Sequence, residues 1–168
     1  MKQFWNGEGG EKWLRFQDTM DANLLPFGQK AMAAAAILSG EWVLDIGCGC
    51  GDTSLEMARL VGPDGRVSGV DISKPILARA KARAQSVLEK NITFERGDAQ
   101  VLRFEAAAFD LVFSRFGVMF FDETDAAFKN LRVTLKPADA LPLSVGNRSW
   151  TMSGSEPPLR LSRVTYRY

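Results

Sequence analysis

The sequence contains no histidine and only two cysteines among its 168 residues. The absence of histidine excludes histidine general bases and the catalytic triads that need one, and it removes a main ligand of zinc sites. Cys48 and Cys50 lie two positions apart in a glycine-rich turn, where the geometry of a disulfide bond would be strained. We therefore expect no metal site, no catalytic triad and a reduced, cytoplasmic protein.

The chain also lacks a long apolar run and an excess of charge of one sign. Its formal net charge of +1 gives no electrostatic drive toward nucleic acid. The first residues contain no apolar signal region, and the run AMAAAAIL is too short to cross a bilayer. We expect one globular domain that binds neither nucleic acid nor membrane, with its oligomeric state left open.

Strand and helix patterns alternate along the chain from residue 42. Apolar runs predict strands at 42–46, 66–72, 91–98 and 109–116, and helical patterns predict helices at 29–38, 53–61, 75–89 and 124–135. This order predicts right-handed crossovers and an α/β fold, a doubly wound Rossmann-like parallel sheet with helices on both faces. Residues 1–40 are expected to form an N-terminal helical cap on a ligand-binding domain, residues 41–137.

The first predicted strand runs into a glycine-rich turn, VLDIGCGCGD, at 43–52. In a doubly wound sheet, a turn in this position binds part of a nucleotide. The dinucleotide fingerprint G-x-G-x-x-G would need its third glycine where this sequence has Asp52. A carboxylate there would repel a pyrophosphate, which disfavours an NAD-dependent oxidoreductase and favours a ligand with a positive centre and no phosphates.

Three further acids follow or end the predicted strands. Asp45 could accept hydrogen bonds from an ammonium group, and Asp71 lies 20 positions after Gly51, the spacing at which an acid reaches ribose hydroxyls. Asp98 ends the third strand, where it could accept a hydrogen bond from an adenine amino group. An amino group, a ribose and an adenine together describe S-adenosylmethionine.

The stretches VLDIGCGCG, GVDIS, GDAQ and FDLVFSRFGVMFF resemble the successive motifs of class I S-adenosylmethionine-dependent methyltransferases, most closely the bacterial small-molecule branch. The resemblance covers residues 1 to about 137 and implies S-adenosylmethionine as cofactor and a small-molecule methyl acceptor, with no dedicated catalytic side chain. The cofactor-binding residues that it implies are Asp45, Gly47, Cys48, Gly49 and Gly51 around the methionine part, Asp71 at the ribose, Ile72, Asp98 and Ala99 at the adenine, and Ser114 near the sulfonium.

Two groups of large apolar residues are open to either of two interpretations, core packing or the wall of an acceptor pocket. They are Trp5, Trp13 and Phe16 near the N-terminus, and Phe116, Met119, Phe120 and Phe121 after the fourth strand. Cys48 is expected to be a small packed residue of the turn rather than a nucleophile, because nothing nearby in the sequence would activate its thiol.

The chain departs from the family pattern after Pro137, where a glycine pair and further strands would be expected. Residues 138–168 are rich in Ser, Pro and Arg and have no helical period. If one base is added after the Pro137 codon, permitted codons can encode a glycine pair, an apolar strand and an amphipathic helix. We hypothesise that this tail is out-of-frame and poorly ordered, and that the sheet is incomplete at its C-terminal strands. A non-catalytic cofactor-binding remnant is therefore the alternative function.

Overall fold

The structure is a computed structural model and describes residues 1–137. The predictions for residues 138–168, including the out-of-frame tail, lie outside the described residues. The helices are α1 (Lys2–Asn6), α2 (Glu8–Arg15), α3 (Gln17–Ala35), α4 (Asp52–Val61), α5 (Lys74–Ser86) and α6 (Thr124–Val133). The strands are β1 (Trp42–Ile46), β2 (Arg66–Asp71), β3 (Ile92–Arg96) and β4 (Leu111–Phe113).

The four strands form a parallel sheet in the order β3-β2-β1-β4. Val43 of β1 lies opposite Val67 of β2 on one side and Leu111 of β4 on the other. The strand order reverses at β1, since β2 and β3 lie on one side of it and β4 on the other. The predicted doubly wound α/β sheet is confirmed, and its switch point lies between β1 and β4.

Both faces of the sheet are covered, which explains why its strands read as nearly continuous apolar runs. Val43 packs with residues of α3, α4 and α5, whereas Leu44 and Ile46 pack against α6 and the loops that follow β3 and β4. The side chains of Val43, Leu44 and Ile46 are almost completely buried. Because successive side chains of a strand point to opposite faces, one five-residue strand contributes to both halves of the core.

The N-terminal helices differ from the prediction. A helix over 29–38 was expected to begin after Pro26, but α3 begins at Gln17 and passes through Pro26. Proline cannot donate the helical hydrogen bond to the carbonyl four residues earlier, in Ala22. Both Pro26 and Ala22 are exposed, so water can satisfy that carbonyl and the helix continues. It ends at Ala36, which adopts a left-handed conformation.

The fourth strand is also shorter than predicted, Leu111–Phe113 instead of 109–116. The backbone leaves the sheet because Phe116 adopts a positive φ of 67° before a short 3-10 helix, Gly117–Phe120. This early exit turns the chain across the carboxyl end of β1, where it helps to form a cavity.

Within residues 1–137, no helix combines the length and the apolar character needed to cross a membrane. The same residues contain no group of three or more His, Cys, Asp or Glu side chains suitable for holding a metal ion.

The central position of β1 leads to a stability prediction. Replacing the fully buried Leu44 with alanine leaves a cavity in the core, so we expect the free energy of unfolding to fall by about 2–5 kcal/mol. Leu88→Ala is the matched control because the Leu88 side chain is 80% exposed, and it should cost less than about 1 kcal/mol. Urea denaturation measures both values, and equal losses would contradict this description of the core.

Candidate functional site

A cavity of about 400 Å³ lies at the carboxyl end of the sheet, at the switch point. All four strands contribute to it through the loops that follow them. The lining residues from these loops include Gly47, Cys48, Gly49 and Cys50 after β1, Asp71 and Ile72 at the end of β2, Gly97, Asp98, Ala99 and Gln100 after β3, and Arg115, Phe116 and Gly117 after β4. Residues of α1, α2 and α3 close the remaining side.

The glycine turn after β1 forms the floor of the cavity and needs glycine for two different reasons. Gly47 has a φ of 68°, and a Cβ atom built on it would lie 2.6 Å from the Cα of Gly117. The two loops on either side of the switch point therefore approach each other more closely than any side chain would allow. Gly49 has a φ of 58°, but a Cβ there would meet nothing within 4 Å. The turn thus presents bare backbone to open space, as a cradle for a ligand does.

The Asp71 carboxylate joins the end of β2 to this turn. It accepts a hydrogen bond from the backbone N–H of Gly49 at 3.0 Å and another from the N–H of Ser73 at 2.8 Å. A carboxylate has about four acceptor positions, so Asp71 can still accept a hydrogen bond from a ligand hydroxyl. Burial raises the pKa of Asp71, although the N–H groups of Ser73 and Gly49 oppose this shift.

The loop after β3 is fixed by Gln100, which was not predicted as a site residue. Its backbone and side-chain N–H groups both donate to Asp98, at 3.0 and 3.1 Å. Its side-chain oxygen accepts hydrogen bonds from the backbone N–H groups of Asp122 and Glu123, just before α6. Gln100 follows directly after the GDA motif, but nothing in the sequence indicates that it bridges two loops.

The structure brings together seven of the predicted site residues, namely Gly47, Cys48, Gly49, Asp71, Ile72, Asp98 and Ala99. Gly51, Ser114 and Asp45 are not among the cavity-lining residues. Gly51 packs against Phe94, while Ser114 donates a hydrogen bond to the carbonyl of Ile46 at 2.8 Å. Their contact with a ligand stays a prediction, and the structure gives them a supporting position behind the wall of the cavity.

Asp45 is completely buried beneath the glycine turn. Its Oδ2 accepts hydrogen bonds from the hydroxyls of Thr53 at 2.9 Å and Ser54 at 2.5 Å, both in the first turn of α4. Its Oδ1 has no hydrogen-bond partner within the described residues. Asp45 therefore holds β1 to α4, and its direct contact with an ammonium group stays a prediction.

Aromatic residues of the N-terminal helices close the cavity. The Trp5 ring makes edge-to-face contacts with Trp13 at 5.8 Å and Phe120 at 5.3 Å between ring centroids. The Ser73 hydroxyl donates to the carbonyl of Trp5 at 2.6 Å, and the Asn6 amide donates to the carbonyl of Ile72 at 3.1 Å. These contacts place Trp5, Trp13 and Phe120 in the cavity wall, while Phe16 is not among the lining residues.

Asp52, which was expected to repel a phosphate, is paired with arginines. Its carboxylate lies 2.8 Å from the guanidinium of Arg115 and 3.7 Å from that of Arg83. Arg83 also contacts Asp21 of α3 at 3.1 Å. Two arginines therefore neutralise this carboxylate, so its charge is a weaker argument against a dinucleotide than the sequence suggested.

Comparison with known proteins agrees with this geometry. Residues 43–138, more than half of the chain, match the family profile of the methyltransferase domain. The chain belongs to the methyltransferase domain family. Its matched region begins in β1 and contains the glycine turn, Asp71, Asp98 and Arg115.

Individual members of the methyltransferase family are similar over part of their length. A demethylmenaquinone methyltransferase from Lactococcus lactis is 36% identical over 108 residues, which cover 64% of this chain and 43% of that protein. An arsenic(III) S-adenosylmethionine methyltransferase from Chlamydomonas reinhardtii is 31% identical with a TM-score of 0.56, covering 60% of this chain and 37% of the other. An S-adenosylmethionine-dependent methyltransferase from Mesorhizobium loti is 27% identical with a TM-score of 0.58, covering 65% and 48%. This methyltransferase-family chain spans less than half the length of the curated relatives that it matches.

The buried carboxylate of this methyltransferase domain predicts a dependence of stability on pH. Burial raises the pKa of Asp45 from 3.8 to about 6, although the hydroxyls of Ser54 and Thr53 oppose this shift. Between these values the native state keeps a proton that the unfolded chain has released. The free energy of unfolding should therefore fall as the pH rises from about 4 to about 6. Above about pH 6 the native state also releases this proton, and the stabilisation that the proton gave is absent.

Asp45→Asn should remove this contribution. As the pH rises from about 4 to about 7, the wild type should lose up to about 3 kcal/mol more than the variant, because one pKa unit corresponds to about 1.4 kcal/mol. Urea denaturation across this pH range measures the difference. Parallel curves for the two proteins would show that Asp45 has an ordinary pKa in the native state.

Proposed function

We propose that this chain binds S-adenosylmethionine and transfers its methyl group to a small-molecule acceptor. The observation that carries the proposal is the meeting of all four strand ends at one cavity, with the Gly49 N–H bound to the Asp71 carboxylate at its floor. Membership of the methyltransferase domain family supports it, as do the similar proteins that are named S-adenosylmethionine methyltransferases.

The residues of the cavity fit the parts of this cofactor. Asp71 has acceptor positions left for the ribose hydroxyls, and Ile72 provides an apolar surface for the adenine beside it. Asp98 and Ala99 line the neighbouring part of the wall, where they can contact the edge of the adenine. The open backbone at Gly49 leaves room for the methionyl part. A cation also suits a cavity that Asp71 and Asp98 line.

The side chains of the cavity position the acceptor against the methyl group and exclude water, and none of them is needed to transfer a proton. When bound, S-adenosylmethionine supplies a methyl group on a sulfonium with a good leaving group. Trp5, Trp13 and Phe120 close the cavity over the glycine turn, so an acceptor would be held against the cofactor with little water. The sequence contains no histidine to act as a base, and the proposal requires none.

Two observations support a small organic acceptor. The wall of the cavity opposite the glycine turn carries the aromatic side chains of Trp5, Trp13 and Phe120, which suit a small organic molecule. The similar protein from Lactococcus lactis is named a demethylmenaquinone methyltransferase, and demethylmenaquinone is a small organic molecule. The identity of the acceptor and of the methylated atom is not part of the proposal.

A second candidate function is cofactor binding without catalysis. Both candidates use the same cavity and the same cofactor, so they differ only in whether an acceptor is methylated.

Thermal shift measurements on the full chain test the cofactor class. S-adenosylhomocysteine should raise the unfolding temperature, and above its Kd the increase should follow the logarithm of its concentration, because it binds the native state and not the unfolded chain; NAD should leave the unfolding temperature unchanged. A shift with NAD alone would overturn the proposed cofactor and favour a dinucleotide-binding protein. If S-adenosylhomocysteine binds, methyl transfer from labelled S-adenosylmethionine to a panel of phenols, quinols, amines and thiols separates the enzyme from the non-catalytic candidate.

Asp71→Ala tests the proposed ribose site. The substitution should weaken the binding of S-adenosylhomocysteine by about 1–3 kcal/mol, because buried hydrogen bonds to the carboxylate are lost. Asp64→Ala is the control, since Asp64 is an exposed aspartate in the turn between α4 and β2 and should leave the affinity unchanged. Titration calorimetry provides both values. Unchanged affinity in the Asp71 variant would remove Asp71 from the cofactor site.

A further inference from the structure

Helix α1 lies beside the cavity but has little apolar support. Met1, Lys2 and Trp5 line the cavity, and none of the five residues of α1 is buried. A helix of this length is too short to be stable by itself in water. The position of α1, and of the Trp5 ring in the cavity wall, therefore depends on contacts with the rest of the chain.

The side chain of Asn6 makes such contacts with the loop after β2. Its Nδ2 donates to the carbonyl of Ile72 at 3.1 Å, and its Oδ1 accepts from the backbone N–H of Lys74 at 2.9 Å. A residue of a neighbouring parallel strand bonds the same pair of groups, a C=O and the N–H two positions later. Nδ2 also donates to the carbonyl of Lys2 at 2.8 Å, and Oδ1 accepts from Arg96 at 3.4 Å. The Asn6 amide thus uses its full hydrogen-bonding capacity to hold α1 on this loop.

The backbone of Trp5 is held to the same loop. Its carbonyl accepts a hydrogen bond from the Ser73 hydroxyl at 2.6 Å. Gly10 of α2 makes room for this contact, because an added Cβ there would collide with the Trp5 carbonyl and lie 3.4 Å from the Ser73 Oγ. The Trp5 ring then meets Phe120 on the far side of the cavity mouth. The aromatic wall is therefore positioned from the loop after β2.

The loop that holds α1 also carries the proposed ribose contact. Asp71 at its start binds the N–H groups of Gly49 and Ser73, and Ile72 lines the cavity. A ligand at Asp71 and the clamp of Asn6 therefore act on the same short segment, residues 71–74. A ligand that restricts this segment would also restrict α1, and by linkage a docked α1 would favour the bound ligand.

We propose that Asn6 is a positioning residue that couples the cofactor to the wall of the acceptor pocket. A cofactor bound at Asp71 fixes residues 71–74, Asn6 ties α1 to them, and Trp5 is thereby held at the acceptor side of the cavity. This inference rests on the proposed function, because it concerns the same cavity and cofactor. The alternative is that Asn6 only stabilises the native fold, independently of the ligand.

Hydrogen exchange followed by mass spectrometry measures the coupling in two segments of one sample, residues 1–15 and residues 66–77. In the wild type, saturating S-adenosylhomocysteine should slow the exchange of both segments. In Asn6→Ala, residues 66–77 should keep this protection. The ligand-dependent slowing in residues 1–15 should shrink on the order of 10-fold, because the hydrogen bonds that tie α1 to the loop are lost.

Two further variants complete the design. Asn6→Asp keeps an acceptor for the Lys74 N–H but cannot donate to the Ile72 carbonyl when ionised, so it should give an intermediate slowing. Asn23→Ala removes an exposed asparagine of α3 and should behave as the wild type. Because exchange with and without the ligand is compared on the same variant, a general loss of stability cancels from the ratio.

The outcomes distinguish this inference from the proposed function. If S-adenosylhomocysteine binds the wild type but leaves exchange in residues 1–15 unchanged, the inference is overturned and the proposed cofactor stands. An unchanged ratio in Asn6→Ala also overturns it, even where exchange is faster overall, because a purely stabilising role gives that result. If S-adenosylhomocysteine does not bind the wild type, the proposed function fails and this inference fails with it.

Discussion

The hydrogen bond from the Gly49 N–H to the Asp71 carboxylate is the interaction on which the site depends. It joins the turn after β1 to the end of β2, and the same carboxylate also binds the N–H of Ser73 at the start of α5. One side chain thus sets the relative position of two loops and a helix. Since Gly49 has no side chain, its N–H can reach the carboxylate while the opposite side of the backbone stays open for a ligand.

A second buried carboxylate supports the turn from below. Asp45 holds the first turn of α4 through Thr53 and Ser54, and the negative charge of Asp71 nearby adds to the effect of burial on its pKa. Two carboxylates in a poorly solvated region disfavour each other's ionised form. A ligand with a positive centre reduces this cost, so the electrostatics of the floor and the proposed sulfonium cofactor agree.

The sequence predicted the sheet and its switch point well, because the buried strands are short apolar runs and the crossovers have one allowed hand. It also placed Asp71, Asp98 and the glycine turn correctly at one edge, since the carboxyl ends of parallel strands meet there. It could not predict that α3 passes through Pro26, because that depends on the exposure of the Ala22 carbonyl. The sequence also could not predict contacts between residues far apart in the chain, such as that between Trp5 and Phe120.

The pairing of Asp52 shows why a charge in a sequence cannot be assigned an effect before its partners are known. Without partners, a carboxylate at the start of α4 would repel anions and disfavour a dinucleotide. In the structure it accepts a hydrogen bond from Arg115 and lies near Arg83, so its charge is balanced. The preference against phosphates must then come from elsewhere, and the carboxylates in and beneath the cavity wall, such as Asp71, Asp98 and Asp45, are a remaining source. The same pairing fixes the guanidinium of Arg115 at the cavity wall, so Asp52 acts through the cation that it holds rather than through its own charge.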